Sequence, residues 1–395
     1  MTTQTVALRR LFRLVNGGTP SAEPDNWGGD VPWATPVDLA KVDGGAIGPT
    51  ERTLTAAGLA SGSRLVTSGS LIVSTRAPIG YVAETEVPMA FNQGCRGLVP
   101  SSEAIDVRFV KYQLIARRPD LQSLGNGSTF QELGSDTLGS FPLVHLPADQ
   151  QRRIADFLDA ETARIDAIIA AKHRQSALLQ MRFKVEARMA TSQGDFVALR
   201  RLLSATKTGT TPTDLELDDS DNGVPWYSPS DFGPGLDLRP AVRRLPAASV
   251  TTRKVPRFSA GSVLVVGIGA TAGLVGHLAQ EGTGNQQVTA LTPNQHLNDR
   301  YLAWWLWGRS DELRELAPYT TLPILNNDYL KAVKINAPGI TEQAAVAALL
   351  DRRAASISDA TSTLNAQIAL LRERRQALIT AAGLEVHIGM KHRAA

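Results

Sequence analysis

From Pro147 to Met189 the chain reads PADQQRRIADFLDAETARIDAIIAAKHRQSALLQMRFKVEARM, with no glycine or proline after its first residue. Leu158, Ile165 and Leu179 fall on one seven-residue ladder, with Lys172 at the missing rung. Ile169 and Phe183 sit four residues after rungs, and Thr162 and Ser176 hold the equivalent places. That spacing predicts a long helix with an apolar seam along one side. At about 1.5 Å per residue, forty residues give a helix roughly 60 Å long, which needs a partner along its length.

The same chain supplies the partner. From Pro338 the sequence PGITEQAAVAALLDRRAASISDATSTLNAQIALLRERRQALITAA carries a cleaner ladder: Leu350, Ile357, Leu364, Leu371 and Leu378, with Ala354, Thr361 and Ile368 between rungs. The two stretches align without gaps, Gln151 on Gln343, Leu158-Asp159 on Leu350-Asp351 and Leu179 on Leu371, a repeat period of about 192 residues. The segments before the helices repeat as well. Leu8-Arg9-Arg10-Leu11 matches Leu199-Arg200-Arg201-Leu202, Val31-Pro32-Trp33 matches Val224-Pro225-Trp226, and Asn92-Gln93 matches Asn285-Gln286. Arg108-Phe109 matches Arg300-Tyr301, and Thr129 with Leu133 matches Thr321 with Leu325.

The architecture expected is therefore globular–helix–globular–helix. It comprises a first α/β (α+β) module over 1–147, a central helix over 148–192, a second module over 193–339, a C-terminal helix over 340–383 and a tail over 384–395. In the first module, apolar strands are expected at Leu71–Ser74 and Gly80–Ala83 around an Arg-Ala-Pro turn. An antiparallel pairing of the helices, as a coiled-coil spacer, would relate the modules by a pseudo-two-fold axis, a symmetry that duplex DNA shares.

Composition narrows the function classes. Hydrophobic content is 43 % and charged content 20 % over 395 residues, as in ordinary globular proteins of more than one domain. The net charge of +3 and pI near 9.0 permit a polyanionic partner. Cys95 is the single cysteine, so no intrachain disulfide forms and a reducing compartment is expected. No signal peptide and no spanning helix are expected, which points to the cytoplasm and no membrane partner. The six histidines show no metal-ligand spacing. Gly267 to Gly273 hints at a dinucleotide loop, but its counterpart Thr75 to Gly80 lacks the first glycines, so a strand-connecting turn is expected. Asp218 to Gly223 resembles a calcium loop, yet position twelve is Pro229. Asn126-Gly127-Ser128 matches a glycosylation sequon by pattern only. Neither a methyltransferase signature nor a phosphate-binding loop is found, and no metal, cofactor or catalytic residue is expected.

The duplicated order, the loop at Asn16 to Ser21, the run GSLIVSTRAPIG at Gly69 to Gly80, the Asn92-Gln93 pair and LPADQQRRIADFLDAETARIDAII from Leu146 together resemble the specificity subunits of type I restriction–modification systems. The resemblance spans nearly the whole chain; the second helix is looser, with ITEQAAVAALLD where the first has Arg152-Arg153. It implies a phage-defence protein with two target-recognition domains, each reading half of an interrupted site in double-stranded DNA. The helices would serve as spacer and as docking surface for two methyltransferase (modification) subunits, which flip out and methylate an adenine in each half. Restriction and translocase subunits would complete the complex.

DNA contact needs donors for phosphates and side chains for base edges. The candidates are Asn16, Thr19, Arg76, Asn92, Gln93 and Arg96 in the first module, and Lys207, Thr208, Thr210, Lys254, Thr271, Gln286 and Gln287 in the second. Arg76 is expected in a strand-connecting turn and Lys207 in the turn matching the first Gly-Gly-Thr-Pro loop. Solvated surface roles are the plain alternative for both, and turn capping for Asn92 and Gln93. The seam candidates are Leu158, Ile165, Ile169, Leu179, Phe183, Leu350, Ile357, Leu364, Ile368, Leu371 and Leu378. Trp33 and Trp226 are expected in the cores, and Trp304, Trp305 and Trp307 in a core or interface. Arg152, Arg153, Arg164, Arg174, Arg372 and Arg375 lie off the ladder, on a solvated face or against a partner. A non-catalytic adaptor, with two protein-binding modules on a coiled-coil rod, is the rival reading.

Overall fold

The structure, a computed structural model, describes residues 4–125, 131–211, 223–252, 255–315 and 324–391. It divides into two compact units, Met1–Ala171 with Gln367–Ala395, and Lys172–Ala366. The central helix runs over Ala148–Ala190 and the C-terminal helix over Ile340–Lys391. Each unit therefore holds one globular part and a segment of both long helices.

In the first unit the chain enters as Gln4–Ala7, turns through the helical turn Leu8–Leu11 and continues as Phe12–Asn16. The opening strand pairs antiparallel with Pro142–His145, the strand that feeds the central helix. The main sheet has the order Phe12–Asn16, Cys95–Pro100, Leu71–Ser74, Val82–Thr85, Ala46–Ile47; only its last pairing is parallel. The strand expected at Gly80–Ala83 begins at Val82 instead. Gly80 has φ +91° and closes the turn, so extended pairing starts only beyond it. A second, smaller sheet joins Thr53–Leu54, Trp27–Ala34, Met89–Phe91 and Leu65–Val66.

The second unit repeats this plan. Asp195–Ala198 pairs with Lys334–Ala337, and the main sheet runs Leu203–Thr208, Val288–Pro293, Ser262–Val266, Val275–Leu278. Arg243–Leu245, Val224–Tyr227 and Thr283–Gly284 make the small sheet. Gly269 and Gly273 take positive φ in the turn between the strands Ser262–Val266 and Val275–Leu278, where a strand connection is expected.

Each core joins sheet, module helix and long-helix segments. In the first unit, Leu71, Val73 and Val82 of the sheet meet Val110 and Leu114 of the helix Val107–Ala116, with Leu158 and Ile379 from the long helices. In the second, Val263, Val265 and Val275 meet Tyr301, Leu302 and Trp305 of the helix Asp299–Gly308, with Phe183, Ala187 and Leu350. The long-helix segments are antiparallel within each unit, since numbering rises on one as it falls on the other. Leu158 shares a cluster with Ile379 while Asp166 pairs with Arg375 at 3.2 Å. In the second unit Glu186 pairs with Arg353 at 2.9 Å, and Phe183 shares a cluster with Ile357.

Along the seam, Leu158, Ile165, Phe183, Leu350, Leu364 and Ile368 are buried, and Ile169, Leu179, Ile357, Leu371 and Leu378 are half-buried. Trp304 and Trp305 are buried, and Trp307 lies half-buried against Phe183 with ring centroids 5.2 Å apart. Among the described residues, no helix is long and apolar enough to cross a membrane.

Candidate nucleic-acid interface

One end of each globular part is clamped to the long helices by a polar network. In the first unit Asp106 caps the helix Val107–Ala116, accepting from the amides of Arg108 and Phe109. Gln151, 1 % exposed, accepts from the Asp106 amide at 3.1 Å and donates to the Leu146 carbonyl at 2.7 Å. Arg108 pairs with Asp156 and Asp159, and the Tyr112 hydroxyl donates to Asp159 at 2.6 Å. Burial opposes charge on Asp106, but the Arg108 guanidinium and the cap amides outweigh it and hold its carboxyl below the usual value of 3.8.

The second unit has the same clamp. Asn298 caps Asp299–Gly308; Gln343 accepts from the Asn298 amide at 2.8 Å and donates to the Pro338 carbonyl at 2.7 Å. Arg300 pairs with Asp351, and Trp304 Nε1, in place of the tyrosine hydroxyl, donates to Asp351 at 2.8 Å. The Gln and Leu-Asp identities between the two helices are therefore the anchoring groups of the clamp.

Each globular part also carries a rim where a glycine–threonine loop (Gly17-Gly18-Thr19 or Gly209-Thr210-Thr211), the Asn-Gln turn and the turn after a central strand meet. Gly17 is pressed to the backbone: a Cβ there would sit 2.0 Å from the Asn92 carbonyl oxygen. Trp33 bolts the loop from inside, its Nε1 donating to the Gly18 carbonyl at 3.0 Å. Thr19 donates to the Gln93 side chain, and Asn92 Oδ1 accepts from the Gly94 amide at 2.9 Å, a turn-capping bond. Arg76 Nε meets Glu132 at 3.1 Å. Arg96 donates to Ser135 at 2.7 Å, and Ser135 donates to Asn16 at 3.1 Å, across the register pair Arg96–Asn16. Beside them lies an open groove of about 830 Å³ lined by Arg13, Gly17, Gly18, Gly62 and Arg64 among others. Arg13 and Arg64 are both exposed, so this margin presents cations to an anionic ligand.

The second unit preserves the frame and changes the side chains. Gly209 replaces Gly17, with a Cβ position 2.1 Å from the Gly284 carbonyl oxygen. Trp226 donates to Thr210 at 3.3 Å, as Trp33 does to Gly18. Thr211 donates to Gln286, and Asn285 accepts from the Gln287 amide at 3.0 Å. At the places of Asn16, Arg96 and Ser135 stand Thr208, Thr289 and Asn327, again joined: Thr208 to Thr289 at 3.0 Å, Asn327 Nδ2 to Thr208 at 3.0 Å, and Thr289 to Asn327 at 3.2 Å.

A family model described as "Type I restriction modification DNA specificity domain" matches twice, over residues 2–175 and 194–370. The chain belongs to this family. Its specificity-domain copies coincide with the two repeats of strand, turn and helix described above. A type I restriction enzyme MjaIX specificity subunit of Methanocaldococcus jannaschii is 31 % identical over 44 % of this chain, and the EcoprrI specificity subunit of Escherichia coli 27 % over 40 %. In each case the matched stretch spans 40 % of the relative's own length. A chain from the solved structure reported as "Structural basis underlying complex assembly and conformational transition of the type I R-M system" shares the fold at TM-score 0.72 and 17 % identity, covering 97 % of both chains.

Most of the expected site residues lie on the specificity-domain rims, with exceptions of position. Lys207 is not in the loop: it lies on the strand Leu203–Thr208 opposite Ala290, because pairing continues to Thr208, and its Nζ donates to the Arg257 carbonyl at 3.0 Å. Thr210 occupies the place of Gly18, and its neighbour Thr211 makes the bond that Thr19 makes. Thr271 is exposed in the turn between the strands Ser262–Val266 and Val275–Leu278. Lys254, like Thr129, Thr321, Asn126 and Asp218, lies outside the described residues. Sequence reasoning missed Glu132, Ser135, Ile268, Thr289, Ile324 and Asn327. Carrying the repeat register through from Arg76 and Arg96 would have found Ile268 and Thr289 in the second unit. Among the described residues no cluster of three or more His, Cys, Asp or Glu side chains is placed to hold a metal.

Proposed function

We propose that the chain is a non-catalytic DNA-recognition subunit of a type I restriction–modification complex, with each rim reading one half of an interrupted duplex site. The observation that carries this is the contrast within each rim. The backbone frame, the Thr–Gln bond and the tryptophan bolt are kept between the copies, while Asn16, Arg96 and Ser135 give way to Thr208, Thr289 and Asn327. Kept polar groups suit phosphate positioning, which is common to both halves; changed groups suit base readout, which differs. The recognition modules are assigned to 1–147 and 193–339, and the helices 148–192 and 340–383 to spacing and to docking two methyltransferase subunits, which supply the chemistry. Restriction and translocase subunits join that core in the full complex.

The test is long-read mapping of methylated adenine in host DNA, with and without the chain and its cognate modification subunit. An interrupted two-part motif should appear only with the chain. Exchange of residues 1–147 for another specificity domain should change one half and spare the other. No new motif, despite an active co-purifying modification subunit, would favour the adaptor reading instead.

A further inference from the structure

At the rim of each unit, one cross-strand pair stands on the same backbone frame with opposite chemistry. In the first unit the Leu133 amide donates to the Thr75 carbonyl at 2.8 Å and the Thr75 amide to the Gly94 carbonyl at 2.8 Å. In the second, Leu325 donates to Gly267 and Gly267 to Gln287, both at 2.7 Å. The frame sets Arg76 opposite Glu132 in one copy and Ile268 opposite Ile324 in the other.

All four side chains are open to solvent. Arg76 and Glu132 are 47 % and 38 % exposed, and Ile268 and Ile324 are each 38 % exposed. Glu132 engages Arg76 through Nε at 3.1 Å and also lies 3.6 Å from Arg96 Nη2; no bond from the terminal nitrogens of Arg76 is found among the described residues. A guanidinium held in that way matches the two acceptors that guanine presents in the major groove. Two adjacent exposed isoleucines on a polar rim, where Gln287 donates to the Ile268 carbonyl at 3.3 Å, match the apolar group that base edges offer there, the thymine methyl. A pair kept only for folding would need no exposed apolar surface, and a solvated turn would keep its charges.

We propose that residues 76 and 132 and their counterparts 268 and 324 form one base-discriminating contact per unit, taking a G·C pair in the half-site read by the first unit and an A·T pair, through its thymine methyl, in the other. Glu132 is a positioning residue that aims Arg76. The inference rests on the DNA-recognition reading above.

The experiment uses the full chain with its modification subunit. The unmodified chain comes first: absence of any two-part motif would sink the recognition reading itself, separately from this proposal. Ile268→Arg combined with Ile324→Glu transplants the charged pair. The expected motif changes at a single position of the second half, from A·T to G·C, with the first half intact; an unaltered motif overturns the proposal. Should that exchange fail to assemble, Ile268→Ala with Ile324→Ala decides. Competitive binding by the assembled complex should then lose roughly ten- to a hundredfold of its discrimination at that one base pair. Full retention of discrimination at every position overturns the assignment.

Discussion

Gln151 and Gln343 show how one side chain can hold a module to a helix. Each is 1 % exposed; Gln151 bonds two backbone groups and Gln343 three, the His296 carbonyl at 3.1 Å being the third. Gln151→Ala leaves a part-buried amide and carbonyl without that partner, at a cost of at most about 1–3 kcal/mol for each group. Hydrogen exchange should therefore accelerate at the start of the helix Val107–Ala116, and Gln343→Ala should do the same at Asp299–Gly308. Equal exchange in both helices for either variant would contradict the clamp. Cys95 gives a second residue-scale outcome. Burial pushes its thiol up to about 12, with Arg96 opposing only in part, and the side chain is fully enclosed. A disulfide reagent at about pH 8 should label it only after denaturation, because the thiolate is the nucleophile; labelling of the native chain at the denatured rate would refute this.

Among elements, the long helices depend on the seam more than on intrinsic propensity. The apolar ladder recurs every seven residues, yet burial along it is uneven: Leu350 is fully buried, whereas Leu371 is half-buried. Leu350→Ala should cost about 2–5 kcal/mol and Leu371→Ala clearly less. Urea unfolding followed by helical circular dichroism reads the difference, and equal midpoint losses would mean that the seam carries no graded packing. The module helices obey the same local chemistry at their starts. Asp106 and Asn298 are caps of like geometry, although one is charged and the other neutral. The capping box of Thr35 and Asp38 at Pro36–Val42 recurs in Ser228 and Asp231 at Pro229–Asp231.

For the molecule as a whole, both units hold acid-sensitive carboxylates, although not at matching positions. Asp38 and Asp106 in the first unit and Asp299 in the second are held below the ordinary carboxylate value of 3.8. For Asp299 the leading cause is the hydrogen bond from His277 at 2.8 Å, with burial acting against it. A carboxyl lowered on folding adds stability above its unfolded value, and that stability is lost as pH falls through the folded value. Stability should accordingly fall as pH drops below the ordinary carboxylate value of 3.8. Asp106→Asn should flatten that fall, and unchanged acid dependence in Asp106→Asn combined with Asp299→Asn would rule these groups out as its source.

By itself the sequence determined whatever depends on spacing along the chain. The seven-residue ladders mark both long helices, the offset of about 192 residues marks the two copies, and the glycines and prolines of the rim mark its turns. Those signals are local, or are repeated twice in one chain, so periodicity and self-comparison suffice. The tertiary structure alone decided which polar groups meet. Asn16, Arg96 and Ser135 converge from positions up to 119 residues apart, and Glu132 reaches Arg76 across 56. Strand register and the bridge beside the turn bring them together, and neither leaves a trace in local composition. Lys207 makes the same point in reverse, since its place beside a Gly-Thr loop suggested a turn and pairing with the strand Val288–Pro293 kept it extended. Long-range pairing fixes the direction of each side chain, and at the rim direction decides which polar groups meet and which face solvent.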